Sequence, residues 1–520
     1  MADTSSTPFV IKSLPGIKRD GTRYEGDYHV DGQWVRWQRG LPRKMAGYRQ
    51  MLDTATGTVR GINGHPAGGL LYTHLGSQDK LERIIINATT NVPSGVVDRT
   101  PGGFATSADN LWSFTQMYDA SASFTAGTTY LIAHAAPNAA DISSDTTGAT
   151  YYGDIEGVAA LAAITGAAVS GGCVSLFPYL FVFGSDGYVR HSVANSPSNM
   201  TGAGSNEARV TSKKIVRGLP LRGGAANTPA GLLWSLDAII KVSFVGGSAI
   251  FSYDALSNQN GILAQNSVVE HDGVYYWAGL GRFMVFNGVV QELPNAMNRN
   301  FFFDNINWAH RNKCYAFKVP AYNEIWWCFP YGSSTECDHA VIYNISEKTW
   351  YDTSLPNTGR SAAENVASYR HPLLTGIENS SDDSILWQHE TGMDEVTTAV
   401  SAIRSYFETA DISLPGGQPT PQNRALRCSM IEPDFVQAGD MTVKVTGRSN
   451  ARSIEVESAE RTIYADPTEP YQQLVTFQGD ALRREMRFRF ESNTLGGNYQ
   501  MGKCIAHIQP ADGIVLGGLA

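Results

Sequence analysis

The chain has 520 residues, a formal net charge of −9, only 17% charged residues and 52 glycines. That balance excludes a general nucleic-acid binder, which needs a basic surface. Six cysteines spread over this length exclude a disulfide framework and read as small buried apolar residues in a reducing compartment.

The length predicts about three domains. Low charge with abundant glycine and aromatic residues predicts many short strands joined by tight turns. The opening Met-Ala-Asp-Thr-Ser-Ser-Thr-Pro lacks the basic and apolar regions of a signal peptide. No stretch approaches the roughly 18 apolar residues of a membrane helix. Cytosolic synthesis without a membrane anchor is the expectation. Residues 1–50 hold nine basic and five acidic residues, net +4, which leaves −13 for the rest of a chain totalling −9. Within this segment Gly32-Gln-Trp-Val-Arg-Trp-Gln38 alternates as a strand, and Arg39-Gly-Leu-Pro-Arg-Lys-Met45 reads as the turn into the next. Its charges suit phosphates or, more simply, an acidic partner surface.

From residue 51 to 398 strand-turn-strand patterns recur. Leu70–His74 and Leu81–Ile86 flank a polar turn, and Tyr179–Phe183 and Tyr188–His191 flank Gly184-Ser-Asp-Gly187. Ile239–Val245 and Ala249–Tyr253 flank a Gly pair. Ser267–Leu293 holds four strands in one run, with Asp272-Gly273 and Asn287-Gly288 as turns that need φ > 0. Glu324–Phe329 is apolar on both faces and predicts a strand covered on both sides. Ala340–Tyr343, Trp350-Tyr351 and Ile385–His389 close the series. Ala-rich Ile155–Val169, ended by Ser170-Gly-Gly, predicts a helix. These units give an all-β chain: an irregular β-propeller of about six blades, or else a pair of β-sandwiches with the same strand density.

Asp411–Asn423, with three prolines and a Gly pair, predicts a linker. Beyond it Met441–Thr446 and Glu485–Phe490 alternate. Met486, Phe488 and Phe490 share one face, with Arg487 and Arg489 on the exposed other. Residues 399–520 therefore read as a second, β-sandwich-like platform domain.

Motifs for phosphate loops, zinc proteases and serine hydrolases are missing from the sequence. His310, Cys314, Cys328, Cys337 and His339 lack the close pairing of structural zinc, and the cysteines read as buried structural residues. Cys173 has no base nearby in the sequence, and Asp382, Asp383 and Glu347 are ordinary loop acids beside the paired carboxylates a glycosidase needs. Ser185-Asp-Gly187 matches a sialidase box only superficially. The expectation is no enzyme, no cofactor and no metal.

Pro15-Gly-Ile-Lys-Arg-Asp-Gly-Thr-Arg23 and Asp31–Tyr48 resemble the opening of the tail nozzle, or tail tubular protein B, family of short-tailed bacteriophages. Val169–Gly187, Ile325–Phe329 and Tyr343–Trp350 are similar to later stretches of that family. The resemblance implies a propeller with a β-rich platform, assembled as a homohexameric ring in the virion tail after synthesis in the host cytoplasm. Its implied partners are the head-to-tail adaptor and tail fibre or needle proteins, with double-stranded DNA in transit during genome ejection. Duplex DNA is stiff over about 50 nm and slides as a rod. Basic groups in the bore would pin its phosphates. Arg39, Arg43 and Lys44 are therefore the candidate assembly-interface residues, with residues 1–50 contacting platform or adaptor. The alternative reading is a propeller that binds or depolymerises host glycan.

Overall fold

The computed structural model describes residues 6–22, 27–108, 110–119, 127–137, 142–222, 228–357, 359–377, 383–412, 425–448, 452–479 and 481–511. The chain is all-β. Among the described residues seven sheets follow one another, the first six antiparallel. The first is Val59–Ala67, Leu70–Ser77, Leu81–Asn87 and Val97–Asp98. The second is Asn110–Asp119, Thr128–Pro137, Thr150–Asp154 and Ala162–Ala163. The third is Gly172–Leu176, Tyr179–Phe183, Tyr188–His191 and Asn206–Arg209. The fourth is Ile215–Pro220, Ala230–Ser235, Ile239–Gly246 and Ile250–Ser257. The fifth is Val268–His271, Val274–Ala278, Phe283–Phe286 and Val290–Glu292, as its two turn pairs predict. The sixth is Tyr315–Val319, Glu324–Phe329, His339–Asn344 and Thr349–Ser354. Every residue of its second strand is buried, as expected of a strand covered on both faces.

The seventh sheet starts with Ala362–Glu364, Leu373–Ile377 and Ser384–His389, but its next strand, Tyr48–Ala55, comes from the start of the chain. Asp394–Val396 then pairs parallel to that strand and Val400–Ala402 completes the sheet. First strands of the first four sheets run side by side in the same direction. Ser113 Oγ donates to Cys173 O and Ser175 N–H to Thr115 Oγ1. Gln116 reaches back to Gly64 O, and Ala316 N–H donates to Asn266 O just ahead of the fifth sheet. The seventh sheet returns to the first, where Val366 packs on Gly64 and Ser384 Oγ accepts from Val59 N–H.

Between sheets the core is aromatic: Trp112, Trp234, Trp277 and Trp327 are fully buried. Trp112 lies flat against Gly76, where an added Cβ would come within 2.4 Å of the indole. Gly76→Ala should therefore cost about 1–3 kcal/mol by overpacking, read as a lowered urea midpoint. Gly95→Ala, where an added Cβ meets nothing within 4 Å, should change it by less than about 0.5 kcal/mol.

Three further sheets combine the chain's beginning and end. Thr7–Val10 pairs with Ile505–Pro510, which pairs with Leu426–Glu432. Asp31–Gln33 joins Ser405–Glu408, Glu485–Ser492 and Met441–Arg448. The hairpin Val35–Gln38/Leu41–Lys44 joins Asn498–Met501 and the edge strand Phe435–Ala438. The strands at 7–10, 31–33, 35–38 and 41–44 thus share sheets with strands from residue 405 onward, while Leu14–Ile17 and Tyr28–His29 pair with each other.

Several details correct the sequence reading. Ile155–Val169 is not helical: Ala162–Ala163 pairs with Tyr151–Tyr152 as the last strand of the second sheet, flanked by turns. Buried Ile155, Leu161, Ile164, Ala167 and Val169 reward that packing over the intrinsic helix preference of alanine. Gly32–Gln38 is not one strand. Trp34 takes φ 53°, and the halves on either side enter different sheets. Arg487 is not exposed but fully buried beside Glu455, so both faces of its sheet are covered there. Most of the Asp411–Asn423 linker lies outside the described residues. Among the described residues no helix is long and apolar enough to cross a membrane.

Candidate assembly interface

The residues that suggested a contact surface lie on the two-stranded hairpin Val35–Gln38/Leu41–Lys44. Its two-residue loop, Arg39-Gly40, has φ 56° and 73°, the left-handed pair that closes a tight hairpin with the twist of its strands. Glu347, in the last turn of the sixth sheet, accepts both loop N–H groups at 2.7 and 3.1 Å. The hairpin tip is thereby fixed to the sheet ring while the Arg39 side chain points to solvent. Arg43 is half-buried, donating to Gln38 Oε1 at 2.7 Å and lying over the Tyr322 ring. Lys44 is buried, and its ammonium donates to Gly497 O at 2.8 Å. Burial lowers its pKa to about 8, against the pull of Asp394. The structure does not bring the three together as one basic patch: Arg39 is exposed, Arg43 lies along the surface and Lys44 is an internal tie.

What lies beneath leaves no pattern in the sequence. Arg36, read as one position of an alternating strand, is fully buried and forms the hub between hairpin and sheets. Its guanidinium donates from Nη2 to Glu324 at 3.1 Å, and from Nη1 and Nη2 to Glu390 at 2.9 and 2.5 Å. Tyr322 stacks on it at 3.7 Å. Glu324 also accepts from Tyr351 Oη at 2.6 Å and Trp326 Nε1 at 2.9 Å. Burial opposes the Arg36 charge, but the two carboxylates outweigh it and hold the pKa well above the ordinary value. Burial pushes the Glu324 carboxyl up, against the pull of Arg36. Since Glu324 belongs to the sixth sheet and Glu390 follows the third strand of the seventh, one cation fastens two sheets to the body formed by the chain ends.

The same segment makes further ties. Arg19 pairs with Asp352 at 2.9 Å and Asp31 at 2.7 Å. Asp20 accepts the N–H groups of Asn300 and Phe301, the opening turn of the α-helix Arg299–Asn305. Trp34 N–H donates to Thr353 Oγ1 and Gln33 exchanges hydrogen bonds with Ser354.

The residues weighed for chemistry have structural places. All six cysteines are buried thiols without disulfides. Burial raises Cys173 and Cys328 to about 12. Among the described residues no group of three or more His, Cys, Asp or Glu side chains is arranged to hold a metal ion. Asp383 accepts from Gly57 N–H, Glu347 holds the hairpin, and Asp382 lies outside the described residues. Asp186 forms a tight turn at φ 52°. Comparison of the chain with protein-family models gives no match, and neither does comparison with curated proteins.

Proposed function

We propose that this chain is a wall subunit of the tail nozzle of a short-tailed bacteriophage. It would act as a passive, non-enzymatic segment of a ring, hexameric by family resemblance, through which the genome leaves the particle. One observation carries the reading. Two of the stretches that resemble the nozzle family, Pro15–Arg23 and Asp31–Tyr48, include residues that tie the sheets to the body formed by the chain ends, through Arg19, Asp20, Gln33, Trp34, Arg36 and Lys44. A resemblance that includes architectural ties fits a protein selected for shape.

In this reading the seven sheets are propeller blades, one more than the six of the sequence reading, with Tyr48–Ala55 closing the last. Polar side chains bridge neighbouring sheets on the side where their first strands lie. Gln116 of the second sheet bonds Asn63 and Gly64 of the first. Arg217 of the fourth bonds Asn266 and acts on the charge of Glu364 in the seventh. The DNA path therefore belongs to the space enclosed by several protomers, beside the adaptor, with Arg39 and Arg43 at contacts outside the narrowest bore.

Immunogold labelling tests this directly. Antibody raised against the purified chain should decorate the tail of short-tailed particles from lysates of the source phage, below the head. Label on host envelope alone, or glycan cleavage by the purified chain, would overturn the proposal.

A further inference from the structure

Three Asn-Gly pairs stand in the chain: Asn63-Gly64, Asn260-Gly261 and Asn287-Gly288. In such a pair the Gly nitrogen can attack the Asn carboxamide, because glycine has no Cβ to obstruct the approach. The attack requires a backbone free to turn, an amide N–H without a partner, and access for water. The fold meets these requirements at one pair and denies them at two.

Asn63 is buried in the strand Val59–Ala67, opposite His74, and its Oδ1 accepts from Gln116 Nε2 at 3.1 Å. The Gly64 N–H is directed at the Glu364 carboxyl. Asn260 donates from Nδ2 to Ser257 Oγ at 2.7 Å. Its glycine, Gly261, lies so close to Leu236 that an added Cβ would come within 2.0 Å of the carbonyl oxygen. Asn287 and Gly288 are both exposed, in the loop 287–289 that follows the last paired residues, Phe286 and Val290. That loop has three residues where the Asp272-Gly273 turn has two, and only Gly288 in it is left-handed, at φ 111°. The Asn287 side chain is held only by Gln291 Nε2 at 3.5 Å, the outer limit of a hydrogen bond. Among the described residues the Gly288 N–H has no acceptor, and a Cβ built on Gly288 meets nothing within 4 Å.

We infer that Asn287 is a site of spontaneous deamidation, which converts it to aspartate and isoaspartate. The Gly288 nitrogen loses its proton to hydroxide and bonds to Asn287 Cγ. The Cγ–Nδ2 bond breaks, and Nδ2 takes a proton from water and leaves as ammonia. The result is a five-membered imide. Water then opens the ring at either carbonyl. Attack at Cγ gives aspartate; attack at the main-chain carbonyl gives isoaspartate, with the chain routed through Cβ. Both products carry a new negative charge. Isoaspartate also adds a methylene to the loop that sets Val290–Glu292, the short fourth strand, against Phe286 of the core shared by sheets four and five. The reaction needs no partner and proceeds whether or not the chain stands in a tail.

Incubating the folded full chain in mildly alkaline buffer, with peptide mapping by mass spectrometry, tests this. The peptide holding Asn287 should gain about 1 Da and become a substrate for an isoaspartyl methyltransferase, faster as pH rises. Asn63 should react at least about 100-fold more slowly, since its strand must first open. Asn260 should react at least about 10-fold more slowly, since its side-chain hydrogen bond must break. In concentrated urea the three should react at similar rates, because the fold alone separates them. Asn287→Gln, at an exposed position, should abolish the early methylation and leave the circular dichroism unchanged. An Asn287 that persists in the folded chain while the urea-unfolded chain reacts would overturn the inference. So would Asn63 or Asn260 reacting as fast as Asn287 in the folded chain.

Discussion

Arg36→Ala is expected to cost about 3–5 kcal/mol, because removing one partner of a buried ion cluster leaves uncompensated charge. Glu324 is fully buried and would keep only neutral donors, Tyr351 and Trp326, in place of the guanidinium. Glu390, partly exposed, would recover some solvation. The loss should appear as a lower urea midpoint, with the platform detaching from the sixth and seventh sheets before the sheet ring unfolds. Limited proteolysis should then cut between residues 398 and 426 at urea concentrations the parent withstands. Arg36→Met with Glu324→Gln should recover roughly half of the loss, since a neutral pair avoids the buried charge. A cost below about 1 kcal/mol for Arg36→Ala would show that the cluster contributes no more than a surface ion pair.

The visibility of this hub in the sequence was poor for a physical reason. Local patterns report what a residue does to its own strand, so the hairpin turns Asp272-Gly273 and Asn287-Gly288, the alternation of Glu485–Phe490 and the double-sided apolar run Glu324–Phe329 were legible. Pairings across hundreds of residues leave no periodicity. Tyr48–Ala55 completes a sheet whose other strands begin at Ala362, and Thr7–Val10 pairs with residues near 505. Charged residues misled in the same way. Arg36, Lys44 and Arg487 occupy positions where alternation suggests solvent, yet each is buried and finds its partner on another segment: Glu324, the Gly497 carbonyl and the half-buried Glu455. Of the three residues read as a contact patch, the sequence could place Arg39 in a turn but could not tell that Lys44 faces inward. The left-handed Trp34, which splits one expected strand between two sheets, carries no glycine or asparagine to announce it.

Acidification between pH 6.5 and 5 is expected to destabilise the fold strongly. Four of the buried histidines are held neutral by their surroundings. Burial lowers His29 to about 4, with its Nδ1–H donating to Leu14 O at 2.9 Å. Burial and nearby Lys214 lower His134 to about 3; its Nδ1 bonds Thr150 Oγ1, whose hydroxyl donates to Ala167 O. His74 and His389 each accept a hydrogen bond from a buried arginine, Arg99 and Arg360, and burial and that charge hold both well below the ordinary value. The folded pKa values are depressed below the unfolded 6.5, so stability is complete above pH 6.5 and falls as the unfolded chain takes up protons that the native one refuses. At pH 5 this amounts to about 2 kcal/mol per histidine, on the order of 8 for four, against a total stability of 5–15 for a typical domain. Burial works the other way on two carboxyls, raising Glu364 to about 8 and Asp411 to about 7, so both stabilise on acidification. Two such groups offset about half of the effect of four histidines per pH unit, and the histidines prevail. The urea midpoint should drop between pH 7 and 5, and His134→Gln should lessen the drop by about 2 kcal/mol. A midpoint constant over that range would mean that these imidazoles titrate in the folded chain as they do in water.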